Sequence, residues 1–472
     1  MMLVEERPQL APLVLTADQD REVARMTGAL WADGGALNAS DMGTGKTVMM
    51  VETGLRLGAQ TILVSAPLHT RFGWYDTVMR QTNYAMPFEW ITNSTKAGKA
   101  AFANLKAGQA GVYFVGRELF RTMDWRGVFI DLVVHDECQT IANRDNKGYK
   151  VAFDLRARTK YTICQSATWY GSRFENAWGI GRILYPTIVE RNFYKWVEKY
   201  CATVFDPFTP TQRKVVGEKM PGRFTSELSC YVNLRNTATQ KPMVEEIFVD
   251  LSPRQRKLYD EFEQKGVVWL NEHPMVADVP AVIRIRLRQL TLAECDISYE
   301  MGRDGEMQEK VGFQPTAKST NFDALTDFLK TLPEDEKVII ATDSAKYARM
   351  VAGRLGDDAF AWTGEASSKQ REAAKGRFIK GKLKYLVAVQ KAISEGTDGL
   401  QEVCHILVVL SDDDSPVQNM QMVGRVNRTG QAKRVLVYLI RARNTVDDVQ
   451  APTLLQKEVQ MRRSMKKDEV AA

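Results

Sequence analysis

Asn38-Ala-Ser-Asp-Met-Gly-Thr-Gly-Lys-Thr47 is a glycine-rich turn that closes on Lys-Thr, the pattern a backbone needs to wrap a triphosphate. Gly43 and Gly45 let the main-chain N–H groups around Thr44 converge on phosphate oxygens. Lys46 is spaced to reach the β and γ oxygens, and the Thr47 hydroxyl to hold Mg²⁺. The strict pattern begins with glycine where this chain has Ser40. The flanks fit all the same: the apolar residues 35–37 enter the turn, and 48–57 have the spacing of a helix whose N-terminus faces the anion. The expected ligands are ATP and Mg²⁺.

Such a site needs a second, carboxylate-bearing strand. Residues 112–115 and Asp131-Leu-Val-Val-His-Asp-Glu-Cys-Gln139 are apolar runs of the right kind, and the second ends in adjacent acids. A buried parallel strand opens its C-terminal end on a ligand crevice, so Asp136 is expected to complete the Mg²⁺ shell and Glu137 to orient and deprotonate the attacking water.

With 472 residues the chain exceeds one ordinary core, and two to three domains are expected. A hydrophobic share of 44% and a charged share of 26% suit a soluble globular protein. No apolar run has the length of a membrane span, and Glu5-Glu6 stand where a signal peptide carries cations, which places the expected location in the cytoplasm or nucleoid. The six cysteines include no C-x-x-C pair, and with four histidines the sequence supports no metal beyond Mg²⁺. The net charge of +6 is mild, but residues 369–384 hold seven Lys or Arg against one Glu, Arg284, Arg286 and Arg288 alternate, and the tail carries Arg462-Arg463 and Lys466-Lys467.

From 61 to 165, the strand-like runs TILVSA, GVYFV, DLVVH and YTICQ alternate with helical patterns, as in an α/β layer with a parallel sheet. The alternation returns after 320 with KVIIAT, AFAWTG, YLVAV, HILVVL and RVLVYLI. The expected fold is therefore two α/β lobes in tandem, each on a parallel sheet, with a mostly helical insertion between them. The boundaries are 1–184 for the first lobe, 185–320 for the insertion, 321–445 for the second lobe and 446–472 for a basic tail. The second lobe has no phosphate loop. It has Gln421-Met-Val-Gly-Arg-Val-Asn-Arg-Thr-Gly-Gln431, where Arg425 and Arg428, three apart, are expected on one helix face as arginine fingers for a γ-phosphate.

These motifs, in this order, resemble the superfamily-two helicase-type ATPases, most closely the Swi/Snf branch of duplex-DNA translocases in the small form that phages and bacteria encode. Leu15-Thr-Ala-Asp-Gln19 resembles the glutamine motif, residues 41–47 motif I, Ser65-Ala-Pro67 motif Ia, Asp136-Glu-Cys-Gln139 motif II and Ser166-Ala-Thr168 motif III. Phe174-Glu-Asn-Ala-Trp178 with Leu184-Tyr-Pro186, Val249-Asp-Leu-Ser-Pro-Arg-Gln-Arg-Lys-Leu-Tyr259, Leu287-Arg-Gln289 and residues 361–378 are similar to further stretches of that branch. Gly396-Thr-Asp398 occupies the motif V position and 421–431 that of motif VI. The resemblance implies two RecA-like lobes, adenine recognition by Gln19 and a ribose contact by Asp398. It also implies coupling of the ATP site to DNA through Gln139, Ser166, Ala167, Thr168 and Gln421. Cys138, Gln139 and Trp169 depart from the family's usual residues without removing a catalytic atom.

The function implied is ATP-dependent movement along duplex or branched DNA by a monomer, with Arg71, Lys380, Lys382 and Lys384 as candidate DNA contacts. Replication, recombination or repair proteins are the implied partners, and no membrane is. The alternatives are an RNA helicase and a nucleotide-gated DNA-binding switch without processive movement.

Overall fold

The computed structural model describes residues 11–206, 212–236, 240–270, 273–277, 279–301, 307–393, 399–412, 416–428, 430–448 and 464–465. The chain divides into two compact units, Met1–Asn236 with Glu458–Ala472, and Thr237–Lys457.

The first unit is built on seven strands: β1 (Gly35–Asn38), β2 (Thr61–Ala66), β3 (Phe88–Ile91), β4 (Gly111–Gly116), β5 (Ile130–Asp136), β6 (Thr159–Gln165) and β7 (Tyr231–Val232). Their order is β3-β4-β2-β5-β6-β1-β7, and every pairing is parallel. β2 and β4 are buried along their whole length, which is why they read as unbroken apolar runs rather than as alternation. Helices α1 (Ala17–Asp33), α2 (Lys46–Arg56) and α3 (Arg71–Gln81) cover one face, packing Val23, Met26, Leu30, Met49, Trp74 and Val78 on Ile62, Val64, Val112, Leu132 and Ile163. α1 opens with a capping box between Thr16 and Gln19 and ends at Gly34, whose φ of 70° suits glycine.

The second unit has six parallel strands, β8 (Met243–Val249), β9 (Val338–Thr342), β10 (Ala359–Trp362), β11 (Tyr385–Val389), β12 (Ile406–Val409) and β13 (Leu436–Ala442), in the order β8-β13-β12-β9-β11-β10. Both lobes are thus the parallel α/β layers the alternating runs predict.

The stretch 185–320 behaves differently from a helical insertion. Its first part belongs to the first unit, where β7 extends the sheet beside β1, and its second part supplies β8 to the second. Alongside its helices it holds three antiparallel hairpins, Cys201–Phe205 with Arg213–Glu218, Val267–Leu270 with His273–Val276, and Asp296–Met301 with Met307–Gly312. In the second unit the Pro253–Lys265 and Pro280–Leu292 helices and the last two hairpins close over Tyr259, Phe262, Val268, Met275, Leu287, Leu290 and Ile297. Arg288 of the Leu287-Arg-Gln289 motif ties this layer to the sheet. Its side chain is buried, donates to the Asp412 carbonyl at 2.8 Å and pairs with Asp343 at 3.6 Å. Arg441 closes the same network on Asp412 and Glu246, each at 2.9 Å. The tail expected over 446–472 is partly docked: Met465 is buried in the first unit, and its carbonyl accepts from Tyr231 Oη at 2.6 Å and Asn233 Nδ2 at 3.0 Å.

His135, buried in β5 with its ring 5.3 Å from that of Phe120, has its pKa pushed down to about 3 by burial. A depressed histidine pKa stabilises the fold above the unfolded value near 6.5 and loses that contribution as pH falls from there toward 3. Chemical denaturation across that window should show wild-type stability falling by several kcal/mol on the order-of-magnitude scale of ~1.4 kcal/mol per unit, with a shallower slope in His135→Gln.

Candidate nucleotide site

The site is assembled where β1, β6 and β5 end together. Asn38 and Asp136 are both register partners of Gln165, so one row of residues crosses three adjacent strands at their C-terminal edge. At strand spacings of about 4.8 Å, this sets the phosphate loop after β1 roughly 10 Å from the acids after β5, a span that suits a triphosphate and its cation.

The loop is shaped by its glycines. Gly43 and Gly45 have φ of 78° and 76°, and Gly45 is the left-handed N-cap of α2. The φ of Gly45 disfavours any side chain, and a Cβ there would lie 2.5 Å from Gln19 Nε2 and displace that amide from the loop. Lys46 opens α2 and its Nζ donates to the carbonyls of Ser40 at 3.0 Å and Asp41 at 2.8 Å, which holds the ammonium inside the loop. Thr47 follows in the first helical turn, which carries no acid to oppose an anion. Thr44 is buried and its hydroxyl donates to the Asp41 carbonyl at 2.7 Å. Gln19 touches this loop too: Nε2 donates to the Thr44 carbonyl at 2.9 Å, while Oε1 accepts from Thr16 N at 2.8 Å.

Ser40, the departure from the phosphate-loop pattern, has a structural reason. Its hydroxyl is buried and accepts the backbone N–H of Leu234 at 3.0 Å. Residues 230–236 run beside β1 and the loop as a strap, with Ala39 N donating to Val232 O at 2.7 Å, Asp41 N to Leu234 O at 2.9 Å and Asn236 Nδ2 to Met42 O at 3.1 Å. Tyr185 of the Leu184-Tyr-Pro186 motif anchors the other end, donating to Gly35 O at 2.9 Å and accepting from Cys230 N at 3.1 Å.

The acids after β5 are held by donors from four directions. Asp136 Oδ1 accepts from Gln165 Nε2 at 2.9 Å and Glu137 N at 3.0 Å, and Oδ2 from Trp74 Nε1 at 3.2 Å. Burial first, and the neighbouring Glu137 charge second, push the Asp136 carboxyl above its usual range, while Gln165, Trp74 and the Arg117 guanidinium oppose the rise. Glu137 has a left-handed backbone with φ of 50°, unusual for a residue with a side chain. Its Oε2 accepts from Gln139 Nε2 at 2.8 Å and Ser166 Oγ at 3.0 Å, and Ser166 Oγ accepts in turn from Thr168 N at 3.1 Å. Gln139, Ser166 and Thr168 therefore act on the carboxylate of Glu137, with buried Ala167 between the last two. Cys138 and Trp169, both departures, meet each other: the thiol lies 3.7 Å from the Trp169 carbonyl, and the Trp169 ring is fully buried against Tyr170 and Phe224.

The donor set suits a cation carried mainly by phosphate. Among the described residues no three His, Cys, Asp or Glu cluster as a metal cage, whereas Asp136 has one oxygen with a single donor, as expected of Mg²⁺ held by one carboxylate, a hydroxyl and substrate oxygens.

In the second unit, Gln421 is buried and Arg425 half-buried on the Pro416–Val426 helix. Arg428 corrects the expectation of a shared helix face. The helix ends two residues earlier, and Arg428 N donates to Val426 O at 3.2 Å in the bend that follows. Gln431 Nε2 pins that bend by donating to Cys404 O at 2.8 Å. Asp398 lies outside the described residues, as do Arg462, Arg463, Lys466 and Lys467. Lys380 and Lys382 are exposed and Lys384 half-buried in the turn entering β11, the opposite edge of that sheet from the C-terminal ends where ligands of open α/β sheets bind. Arg71 is at the C-terminal edge of the first sheet, its guanidinium 3.9 Å above the Trp90 ring and 4.5 Å from Phe72. Trp74, Gln165, Arg117 and the strap carry no signal in the sequence, since a lone tryptophan or glutamine at a strand end reads as ordinary packing.

Ser40→Ala removes the acceptor of a half-buried backbone N–H, so the first unit should lose about 1 kcal/mol in a denaturant titration, and limited proteolysis should cut sooner near residue 236. Unchanged stability would show that the strap needs no such anchor.

Residues 320–430 match the family model of the helicase conserved C-terminal domain. No curated protein matches the chain. Among solved structures, the chain is similar to the Sulfolobus solfataricus SWI2/SNF2 ATPase core in complex with dsDNA, with 15% identity, a TM-score of 0.42, and coverage of 98% of this chain and 97% of that one. The matched residues 320–430 lie within the second unit.

Proposed function

We propose that the chain is a DNA-stimulated ATP hydrolase that moves along duplex DNA, in the manner its motif order implies for the Swi/Snf-like branch. The observation that carries the reading is the half-buried Asp136–Glu137 pair, oriented by Gln165, Trp74, Gln139 and Ser166, in one strand row with the Lys46 loop. Two acids side by side and half withdrawn from water cost free energy, and such a pair beside a phosphate-binding turn is what hydrolysis requires.

Gly43, Thr44 and Gly45 present backbone N–H groups to the phosphates, Lys46 neutralises the β and γ oxygens, and Gln19 stands beside the loop for the adenine contact. Thr47 and Asp136 would hold Mg²⁺, which when bound offsets charge on the transferred phosphoryl group. Glu137 orients the attacking water and takes its proton, and Ser166 with Gln139 sets the direction of that carboxylate. Arg425 and Arg428 are the transition-state cations of this reading. Arg428→Ala should lower kcat by ~10³ while nucleotide affinity stays within a few-fold, as measured by steady-state turnover and equilibrium nucleotide titration. A change confined to KM would make Arg428 a binding residue.

For nucleic acid, the reading uses half-buried Arg71 with its neighbours Leu68, Phe72 and Trp90, these three each more than one-third exposed at the sheet edge where α3 begins. Backbone contacts of this kind follow any sequence and weaken with salt. Turnover should rise with duplex DNA more than with single strands or RNA, and the protein should displace the third strand of a triplex in the presence of ATP. Stimulation by RNA or single strands alone would contradict duplex tracking and leave the ATPase reading standing.

A further inference from the structure

α3 lies between the two functions just proposed. Its first residue, Arg71, is half-buried, stacked on the more exposed Trp90 at 3.9 Å. One turn on, Trp74 is 2% exposed and its indole N–H reaches Asp136 Oδ2 at 3.2 Å. Residues three apart share a side of a helix and are held about 4.5 Å apart along its axis, so what displaces one displaces the other. The rest of α3 is fixed to the core by Val78, Met79 and the edge-on contact of Tyr75 with Phe88 at 5.6 Å, and Trp74 packs in the same core, so Arg71 is the residue of the first turn on which a ligand acts.

We propose that Trp74 is a positioning residue that transmits occupancy of the Arg71 surface by a nucleic-acid phosphate to the Asp136 carboxylate. A phosphate that draws Arg71 from its place above Trp90 shifts the first turn of α3, and a shift of a few tenths of an ångström changes a 3.2 Å hydrogen bond measurably. Asp136 is then turned by its second donor pair, Gln165 and the Glu137 N–H, which remain on the sheet. No atom of Trp74 enters the reaction. The proposal rests on the motor reading and adds a route, independent of Ser166 and Gln139, by which nucleic acid regulates the hydrolytic site.

The test is Trp74→Phe, which keeps the aromatic volume and removes the donor. Turnover is measured with MgATP alone and with saturating duplex DNA, and duplex affinity separately. The ratio of stimulated to basal kcat should fall about tenfold, the scale of one hydrogen bond to a charged group, with duplex affinity within about threefold of wild type. Adding Arg71→Ala to Trp74→Phe should weaken duplex binding and leave the ratio where Trp74→Phe put it. If basal and stimulated turnover fall in equal proportion, Trp74 only shapes the site and the proposal is overturned. If wild-type turnover ignores every nucleic acid, the motor reading fails and takes this one with it; if the wild type is stimulated and Trp74→Phe keeps the ratio, only this one fails. Thermal unfolding checks that the variant folds, and Trp74→His, which restores a ring N–H, should recover part of the ratio. In wild-type protein labelled at tryptophan nitrogens, the indole resonance missing from whichever variant folds should move when duplex is added without nucleotide. A stationary resonance would also overturn the proposal.

Discussion

Two adjacent carboxylates half withdrawn from water at the end of a strand cannot stand alone. The cost of withdrawing them falls only if the lone pairs facing the protein find donors, and the architecture of the first unit follows from that requirement. Gln165 must sit beside Asp136 in register, Ser166 must follow it, α3 must bring an indole N–H, and Gln139 must fold back on Glu137. The left-handed turn at Glu137 belongs to the same demand, since it lets consecutive side chains point to different donors. In the proposed reading, hydrolytic chemistry and structural satisfaction use the same atoms, so donors that look like scaffold also set the geometry of the reaction.

The same logic recurs in the second unit with a different outcome. Arg288 and Arg441 neutralise Asp343, Asp412 and Glu246 in a network that fixes the layer of residues 253–312 on the parallel sheet. Burial raises the Asp412 carboxyl and pushes Asp447 up to about 6 in the same corner. Removing one arginine there would strand a buried charge, a loss of about 3–5 kcal/mol, so the Leu287-Arg-Gln289 motif is first a structural joint.

Much of this was legible in the residues. Runs such as TILVSA, GVYFV and HILVVL are strands because both faces of a parallel sheet are covered, and no helix of that length would be apolar all round without lying in a core. Gly43, Gly45, Lys46 and the Asp136-Glu137 pair announced the site because their chemistry is local. What escaped is long-range. β7 is two residues long and β8 carries Glu245 and Glu246, so neither has a clean period, yet β7 adds to the sheet of the first unit and β8 to that of the second. Arg428 leaves the helix two residues early, and the i,i+3 spacing with Arg425 outweighed the stop signal that Asn427 and Gly430 give just past Val426. Ser40 looked like a defect in a motif and is an anchor for a strap almost two hundred residues away, as residues 40 and 234 show.

The central claim is that the Lys46 loop and the Asp136–Glu137 corner are one hydrolytic site. Phosphate release and equilibrium ATP binding, measured side by side on Glu137→Gln, test it most directly. The account predicts ATP bound within a few-fold of wild-type affinity and phosphate release reduced by at least about a hundredfold, because the phosphate loop and its cations remain while the water loses its base. Phosphate release at the wild-type rate would contradict it.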